Sequence, residues 1–522
     1  MFDVFKIINF IKKQFDLKDL LIVTAILTLF FFTRLTNITA LPIFGDEGIY
    51  IRWAKTAWQD ANWRFISLTD GRQPLQTWLT IPFLKLFPEN PLLAGRLFGV
   101  LSGLIALIGI FLCLFYIFNK RTAYLGTLLY IITPYFLFYD RMALADSMVN
   151  AGFIWLFFCS ILIWKTLRID TSLLFGLTAG FFMLAKSSMR LAIINSITAP
   201  VLSLALFKKN KSKYFNKIIN YYILIVISSI LALIIYNIQR LSPFFHFVSQ
   251  KNLTFVMSFE EFKTQPFAYF FSNIKLIPNY IFSETTIFFG IIAILGFLKM
   301  FLNNKENIAL YTIFWIIIPL SAIAFFAKVL FPRYLLFTGG LLLIPTSFYL
   351  NDLFAKNKSK LRLYFKLTVV LIFMFQTIKF DYAIIYDQIN IPFPKVDKGQ
   401  YIQGTTAGWG LKEILEYARQ KSQEKNVIIL AEGDFGVVGD QLEALKTVKD
   451  RKIHIKGYWP LNKEALIANQ ENLKDNYILI VLAHTQDIPQ DWPVKLIKEY
   501  PKPISGQKIT LLELQKTNDK LD

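Results

Sequence analysis

Two adjacent carboxylates, Asp46 and Glu47, stand within Phe44-Gly45-Asp46-Glu47-Gly48, just past the first long apolar stretch of the chain. A charge at the edge of a hydrocarbon layer is costly unless it has partners. An acidic pair there reads as a functional site, with solvated loop carboxylates as the plainer alternative. Three further polar clusters fall at the outer ends of later apolar stretches: Asp140, Arg141 and Asp146; Lys186 and Arg190; Lys328, Arg333 and Tyr334. Taken singly, each has an ordinary explanation. Asp146 suits a helix N-terminus, with Arg141 as its ion-pair partner, and the lysines and arginines suit snorkelling anchors. Together at one depth, carboxylates and cations suit the transfer of a sugar from a lipid phosphate: one carboxylate deprotonates the acceptor and the cations neutralise the departing phosphate. A guanidinium meets phosphate bidentately, which favours arginine in that role. An efficient base needs a pKa above the ordinary carboxylate range, and partial burial beside Glu47 is expected to raise that of Asp46. The carboxylates leave Mg²⁺ or Mn²⁺ open as a cofactor, although a lipid phosphate held by Arg and Lys needs no metal.

The elements that must position these residues are membrane helices. Hydrophobic residues make up 55% of the 522, including 52 Phe, against roughly 45 to 50% in soluble domains. About eleven spans are expected, near 20–36, 92–118, 122–138, 149–164, 172–185, 191–207, 218–238, 281–301, 308–327, 334–350 and 363–378. Cytoplasmic loops carry excess Lys and Arg. With the N-terminus inside, the inner segments hold Lys12, Lys13 and Lys18, Lys120 and Arg121, Lys165 and Arg168, the Lys208–Lys217 run, Lys299 and Lys305, and Lys356 to Arg362. The chain is thus expected to be multi-pass in the plasma membrane, and its first 18 residues lack a signal-peptide cleavage pattern. The net charge of +20 is accounted for by inner loops and a Lys-rich tail facing anionic lipid, not by nucleic acid. Cys113 and Cys159 fall inside spans and there are three His in all, so neither a disulfide framework nor a thiolate or multi-histidine metal site is expected.

Residues 1–380 form the expected membrane domain, with two outer loops. Loop 39–91 carries the acidic pair and two short interfacial helices, with Trp53, Trp58, Trp63 and Trp78 expected at head-group depth. Loop 239–280 is expected to act as a lid. Residues 381–522 read as an extracytoplasmic α/β domain: apolar runs at 427–430, 453–455, 477–482 and 509–514 alternate with helical stretches at 411–423 and 437–446. Gly433-Asp434-Phe435-Gly436 reads as a turn in preference to a phosphate loop.

Three motifs in order have a familiar form: Phe44-Gly45-Asp46-Glu47-Gly48-Ile49-Tyr50; Gly71-Arg72-Gln73-Pro74-Leu75-Gln76-Thr77-Trp78-Leu79 with Arg96; and Pro134-Tyr135-Phe136-Leu137-Phe138-Tyr139-Asp140-Arg141-Met142-Ala143-Leu144-Ala145-Asp146. Over roughly the first 350 residues the chain resembles the dolichyl-phosphate-mannose protein mannosyltransferase and aminoarabinose transferase superfamily, membrane glycosyltransferases of the C-type fold. Lys186 and Pro332-Arg333-Tyr334-Leu335-Leu336 are similar to weaker features of that superfamily. The resemblance implies inverting transfer of a sugar from a polyprenyl-phosphate donor to a hydroxyl of a protein, lipid or glycan on the outer face. It implies Asp46 as base with Glu47 beside it, Asp146 as the second acidic position, and Lys186 and Arg333 facing the lipid phosphate. Arg72, Asp140, Arg141, Lys328 and Tyr334 complete the expected substrate-binding set. Gln73 departs from a position that is basic in many relatives, and Arg72 is the expected substitute. A transporter or flippase of a lipid-linked or anionic substrate is the alternative, but it calls for charges near the bilayer midplane on broken helices.

Overall fold

The computed structural model describes residues 16–354, 360–433 and 435–516; Lys12, Lys13, Lys356 and Asp434 lie outside them. All eleven expected spans coincide with helices, but not all as single rods. Six helices among the described residues are long and apolar enough to cross a membrane, and a bent pair makes a seventh. The others depart for local reasons. Leu17–Leu35 carries Lys18, Asp19 and Arg34 near its ends. The third span breaks into Lys120–Ile132 and Pro134–Tyr139, because Pro134 cannot donate a backbone hydrogen bond and forces the residue before it out of helical geometry. Ile169–Met183 has only 15 residues, and Phe270–Thr285 meets Ile287–Leu302 at 106°. The last helix, Lys360–Tyr386, continues past the span expected at 363–378.

Side-chain caps start several of these helices. Asn90 accepts from the Leu93 amide ahead of Pro91–Ile117, and Asn119 and Asn210 do the same for the helices that follow them, satisfying amides that have no partner within the helix. Asp146–Thr166 is buried along most of its length and forms the centre of the bundle. At one end of the bundle Lys120 pairs with Asp19 at 2.5 Å and Lys299 with Asp352 at 3.1 Å. The acidic motif lies beyond the opposite end of the first helix.

The C-terminal domain contains a five-stranded sheet in the order β2-β1-β3-β5-β4, with β1 Asn426–Glu432, β2 Ile453–Tyr458, β3 Asn476–Leu482, β4 Val494–Pro501 and β5 Lys508–Leu514. β1 is parallel to β2 and β3, whereas β5 is antiparallel to β3 and β4. β4 escaped the sequence reading because it is a largely exposed edge strand interrupted by Lys495, Lys498 and Glu499, a pattern that protects sheet edges.

This domain is packed against the acidic motif. Ile43, Ile51, Leu92 and Ala143 share one core with Leu411, Val438, Leu442 and Leu479. The Gly45 amide donates to the Thr406 carbonyl at 3.0 Å and Gly408 to that of Ile43 at 3.0 Å. Buried Gln441 donates to the carbonyls of Ile43 at 2.9 Å and Thr406 at 2.8 Å. The acidic loop and the C-terminal domain therefore lie on the same side of the bundle.

Candidate active site

Asp46 and Glu47 occupy the first turn of the helix Gly45–Gln59, and successive helical residues project about 100° apart. Neighbours in sequence thus face different surroundings. Asp46 turns to a cavity of about 810 Å³, where its Oδ1 pairs with Arg72 Nη2 at 3.3 Å and its Oδ2 with Arg333 Nη2 at 2.8 Å. Gly45 is required beside it, since a Cβ would collide with the Gly436 carbonyl. Burial works to raise the Asp46 pKa, but the charges of Arg72 and Arg333 outweigh it and hold the carboxyl well below the usual range. The expected rise is thus reversed. It overlooked two guanidiniums delivered from positions 26 and 287 residues further along the chain.

Arg72 follows Gly71, whose φ of +66° and contact with the Phe247 carbonyl exclude a side chain. Its Nε is held by Asp70 at 3.0 Å, and its guanidinium lies 5.2 Å from the Tyr50 ring centroid. Arg333 sits on the short turn Pro332–Leu335 amid the rings of Phe44, Phe331 and Tyr334, at 5.5, 5.3 and 5.6 Å. Only its Nη2 is engaged: Nε and Nη1 are buried without a hydrogen-bond partner. Across the cavity Lys186 Nζ meets Asp146 Oδ1 at 2.7 Å and lies 4.3 Å from the Tyr334 ring centroid. Burial disfavours the Lys186 ammonium, yet the Asp146 charge more than compensates and raises its pKa above the ordinary value.

The structure brings Asp46, Arg72, Asp146, Lys186, Arg333 and Tyr334 together around this cavity. Four other expected residues do not line it. Glu47 is fully buried, held by Arg96 through Oε1 at 2.9 Å and Oε2 at 2.8 Å, and accepts from the Ala143 amide at 2.8 Å. It is a brace, not a second cavity carboxylate. Asp140 is buried against Arg34 at 3.2 Å and the Tyr130 hydroxyl at 3.1 Å. Arg141 donates to the Thr33 and Arg34 carbonyls at 2.7 and 3.1 Å, satisfying the C-terminal end of the first helix. Lys328 is drawn away by Glu261 at 2.8 Å and the Leu253 carbonyl at 3.0 Å. Trp53, expected at the interface, is 1% exposed because the C-terminal domain covers it.

Other cavity residues were not singled out as site residues. Gln73, at the atypical motif position, donates to Ser187 Oγ at 2.6 Å and joins two loops. Lys251, from the expected lid, pairs with Asp70 at 2.6 Å. Gln400 and Thr406 arrive from the segment leading into the C-terminal domain. No sequence periodicity marks these polar residues; the presence of Lys251 in loop 239–280 was the available signal. The cavity is also lined by apolar side chains, among them Val149, Phe153, Leu191, Ile323 and Phe337. One compartment thus offers both cations and hydrocarbon to a ligand. Among the described residues no three of His, Cys, Asp and Glu converge. The two cavity carboxylates already face cations, so this donor set suits an anion and fits a divalent metal poorly.

Residues 72–236 match the family model of dolichyl-phosphate-mannose-protein mannosyltransferase, a segment that includes Arg72, Asp146 and Lys186. No curated protein sequence gives a significant match. Among solved structures, the chain is similar to ArnT from Cupriavidus metallidurans bound to undecaprenyl phosphate, at a TM-score of 0.56 and 12% identity, covering 94% of this chain and 97% of that one. It is also similar to the Archaeoglobus fulgidus oligosaccharyltransferase in the apo form, at a TM-score of 0.53 and 14% identity, covering 89% and 69%. The archaeal oligosaccharyltransferase AglB from Archaeoglobus fulgidus, in complex with an inhibitory peptide and a dolichol-phosphate, gives 0.51 and 13%, covering 88% and 69%. One related oligosaccharyltransferase structure is a complex with Zn and sulfate, which establishes no cofactor here. The chain is a multi-pass membrane protein with the C-type fold of the ArnT and oligosaccharyltransferase structures, and its residues 72–236 are similar to the dolichyl-phosphate-mannose-protein mannosyltransferase family.

Proposed function

We propose that the cavity transfers a sugar from a polyprenyl-phosphate donor to an acceptor hydroxyl, with inversion, on the extracytoplasmic face. The observation that carries this reading is the pair of buried, unpartnered Arg333 donors, Nε and Nη1, in a cavity lined by Arg72, Lys186 and Arg333 together with apolar side chains. Buried polar atoms are rarely left unsatisfied, and a phosphate supplies acceptors for that fork while its prenyl chain covers the apolar wall. The ligands named for the ArnT and AglB structures, undecaprenyl phosphate and dolichol-phosphate, support the same donor class.

In this mechanism Arg333, Lys186 and Arg72 neutralise the phosphate as the bond between the sugar C1 and the phosphate oxygen breaks. Its electron pair leaves with the lipid phosphate. The acceptor oxygen bonds to C1 from the opposite face and its proton passes to Asp46. In the free enzyme Asp46 is a weak base because two guanidiniums hold its pKa down. A bound phosphate draws on Arg333, weakening that hold and raising the basicity of Asp46 when the donor is in place. Asp146 keeps Lys186 oriented and charged. No step requires a metal. Transfer of labelled sugar from a synthetic polyprenyl-phosphate donor by the protein in nanodiscs tests this reading; undiminished transfer by Asp46→Asn would sink it.

The same reading places the N-terminus in the cytoplasm and the C-terminal domain outside the plasma membrane. The Lys/Arg-bearing inner loops support that orientation. A reporter fused after Phe380 should behave as extracytoplasmic and one inserted within Lys208–Lys217 as cytoplasmic; the reverse pattern overturns the orientation.

A further inference from the structure

We infer that a second cavity, between loop 39–91 and the C-terminal domain, binds a saccharide, the acceptor of the reaction proposed above, on which this inference rests. The cavity holds about 400 Å³ and is walled by Arg52, Trp53, Trp63, Thr69, Asp70 and Phe435, a size within the range of small-molecule sites. Trp63 is 39% and Phe435 42% exposed. Trp63 stacks on Phe244 at 6.2 Å with 7° between the ring planes, and Trp53 contacts Tyr50 at 5.6 Å and Phe435 at 6.2 Å. These contacts hold the aromatic surfaces in place before any ligand arrives.

A pyranose presents a patch of C–H bonds on a ring face and hydroxyls around its edge. Aromatic rings cover the first, while carboxylate, guanidinium and hydroxyl groups hydrogen-bond to the second. This cavity supplies both. Asp70 and Thr69 lie beside the rings, and Arg52 is fixed by Asp440 at 2.7 Å. An aromatic membrane anchor needs no such ring of polar groups.

The cavity is also tied to the proposed base. Asp70 holds Arg72 at 3.0 Å, and Arg72 holds Asp46 at 3.3 Å. An acceptor resting on Trp63 is therefore next to the residues that position Asp46. The arrangement favours a glycan over a bare peptide or fatty chain as acceptor.

Saturation-transfer NMR on the full chain in nanodiscs, with methyl α-glycosides of mannose, glucose and galactose as probes, tests this inference. At least one glycoside should receive saturation on its ring protons. Trp63→Ala should weaken that binding about three- to tenfold, the scale of an aromatic contact, and Trp63→Phe should restore part of it. Affinity for undecaprenyl phosphate, titrated separately, should be unchanged in Trp63→Ala. If no glycoside receives saturation, or if the signals persist undiminished in both Trp63→Ala and Phe435→Ala, the saccharide site is overturned. Failure of wild-type protein to bind undecaprenyl phosphate would instead strike the donor reading, and the glycoside signals would still judge this one.

Discussion

Asp46 and Glu47 are consecutive carboxylates in nearly opposite circumstances. Asp46 has a side chain 19% exposed and shares its charge with two arginines at the edge of a cavity. Glu47 is sealed in the core, with Arg96 fixed on both its oxygens, while Arg96 itself also donates to the Ile38 and Leu41 carbonyls at 2.6 and 2.9 Å. One carboxylate faces partners that a substrate could draw away. The other has partners that cannot leave without breaking the fold. In the proposed mechanism, a motif of two acids in a row combines a reactive group with the brace that aims it.

Substitution should separate these two roles, and the largest effect is expected at the cavity. Asp46→Asn should lower kcat by about 10² to 10⁴-fold with donor affinity near wild type and a loss of stability, from the two ion pairs it weakens, smaller than that at Glu47. A fall in melting temperature large enough to account for the lost activity would remove the contrast. At Glu47 the consequence should fall on stability: Glu47→Ala leaves Arg96 buried and unpaired, a loss of about 3 to 5 kcal/mol. Denaturation of both single variants and of Glu47→Ala/Arg96→Met checks this, the double variant recovering part of the loss. If Glu47→Ala is stable but inactive, Glu47 belongs with the chemistry after all.

Arg333→Ala should raise the donor KM and lower kcat, with a combined loss of about 2 to 4 kcal/mol, and Arg333→Lys should rescue it only in part because the planar fork is lost. Unchanged donor kinetics in Arg333→Ala would reduce this residue to a partner of Asp46. A smaller effect tests the contact from the C-terminal domain. Gln441→Ala removes one of two donors from each of the Ile43 and Thr406 carbonyls, which keep the Gly408 and Gly45 amides, at about 0.5 to 1.5 kcal/mol per lost bond, and should lower kcat more than it alters donor affinity by loosening the turn that carries Asp46. An equal effect on both constants would argue for general destabilisation.

The smallest effect sharpens the electrostatic half of the comparison. Arg72 and Arg333 depress the Asp46 pKa, so in the free enzyme it remains ionised to low pH. The acid limb of kcat/KM assigned to Asp46 should lie below the ordinary carboxylate range. Once donor phosphate engages Arg333, the pKa rises and the acid limb of kcat should move to higher pH, since kcat reports the bound complex. The same sign applies to stability: the contribution from the depressed carboxyl is complete above its unfolded pKa near 4 and is lost as the pH falls through the folded value. Coincident acid limbs would mean that the phosphate does not draw on Arg333.

The sequence by itself determined the solvent in which this chain folds and where its charges would gather. Runs of apolar residues long enough to cross hydrocarbon must become helices, because backbone groups there have no water to bond. All eleven expected spans accordingly fell on helices, and the apolar strands of the tail are recognisable by the same physics of burial. The three motifs likewise pointed to Asp46, Arg72 and Asp146, and the weaker features of the resemblance to Lys186 and Arg333, before their geometry was known. Tertiary structure alone decided which charges would meet. Nothing local distinguishes Asp46 from Glu47, Lys186 from Lys328, or Arg333 from Arg141: each is an ionisable group near a helix end. Their fates follow from partners far away in sequence, since a buried charge is satisfied only by whatever the fold brings within about 3 Å of it. For Glu47 that partner was Arg96 in the core, and for Asp46 it was a pair of arginines at the rim of a cavity.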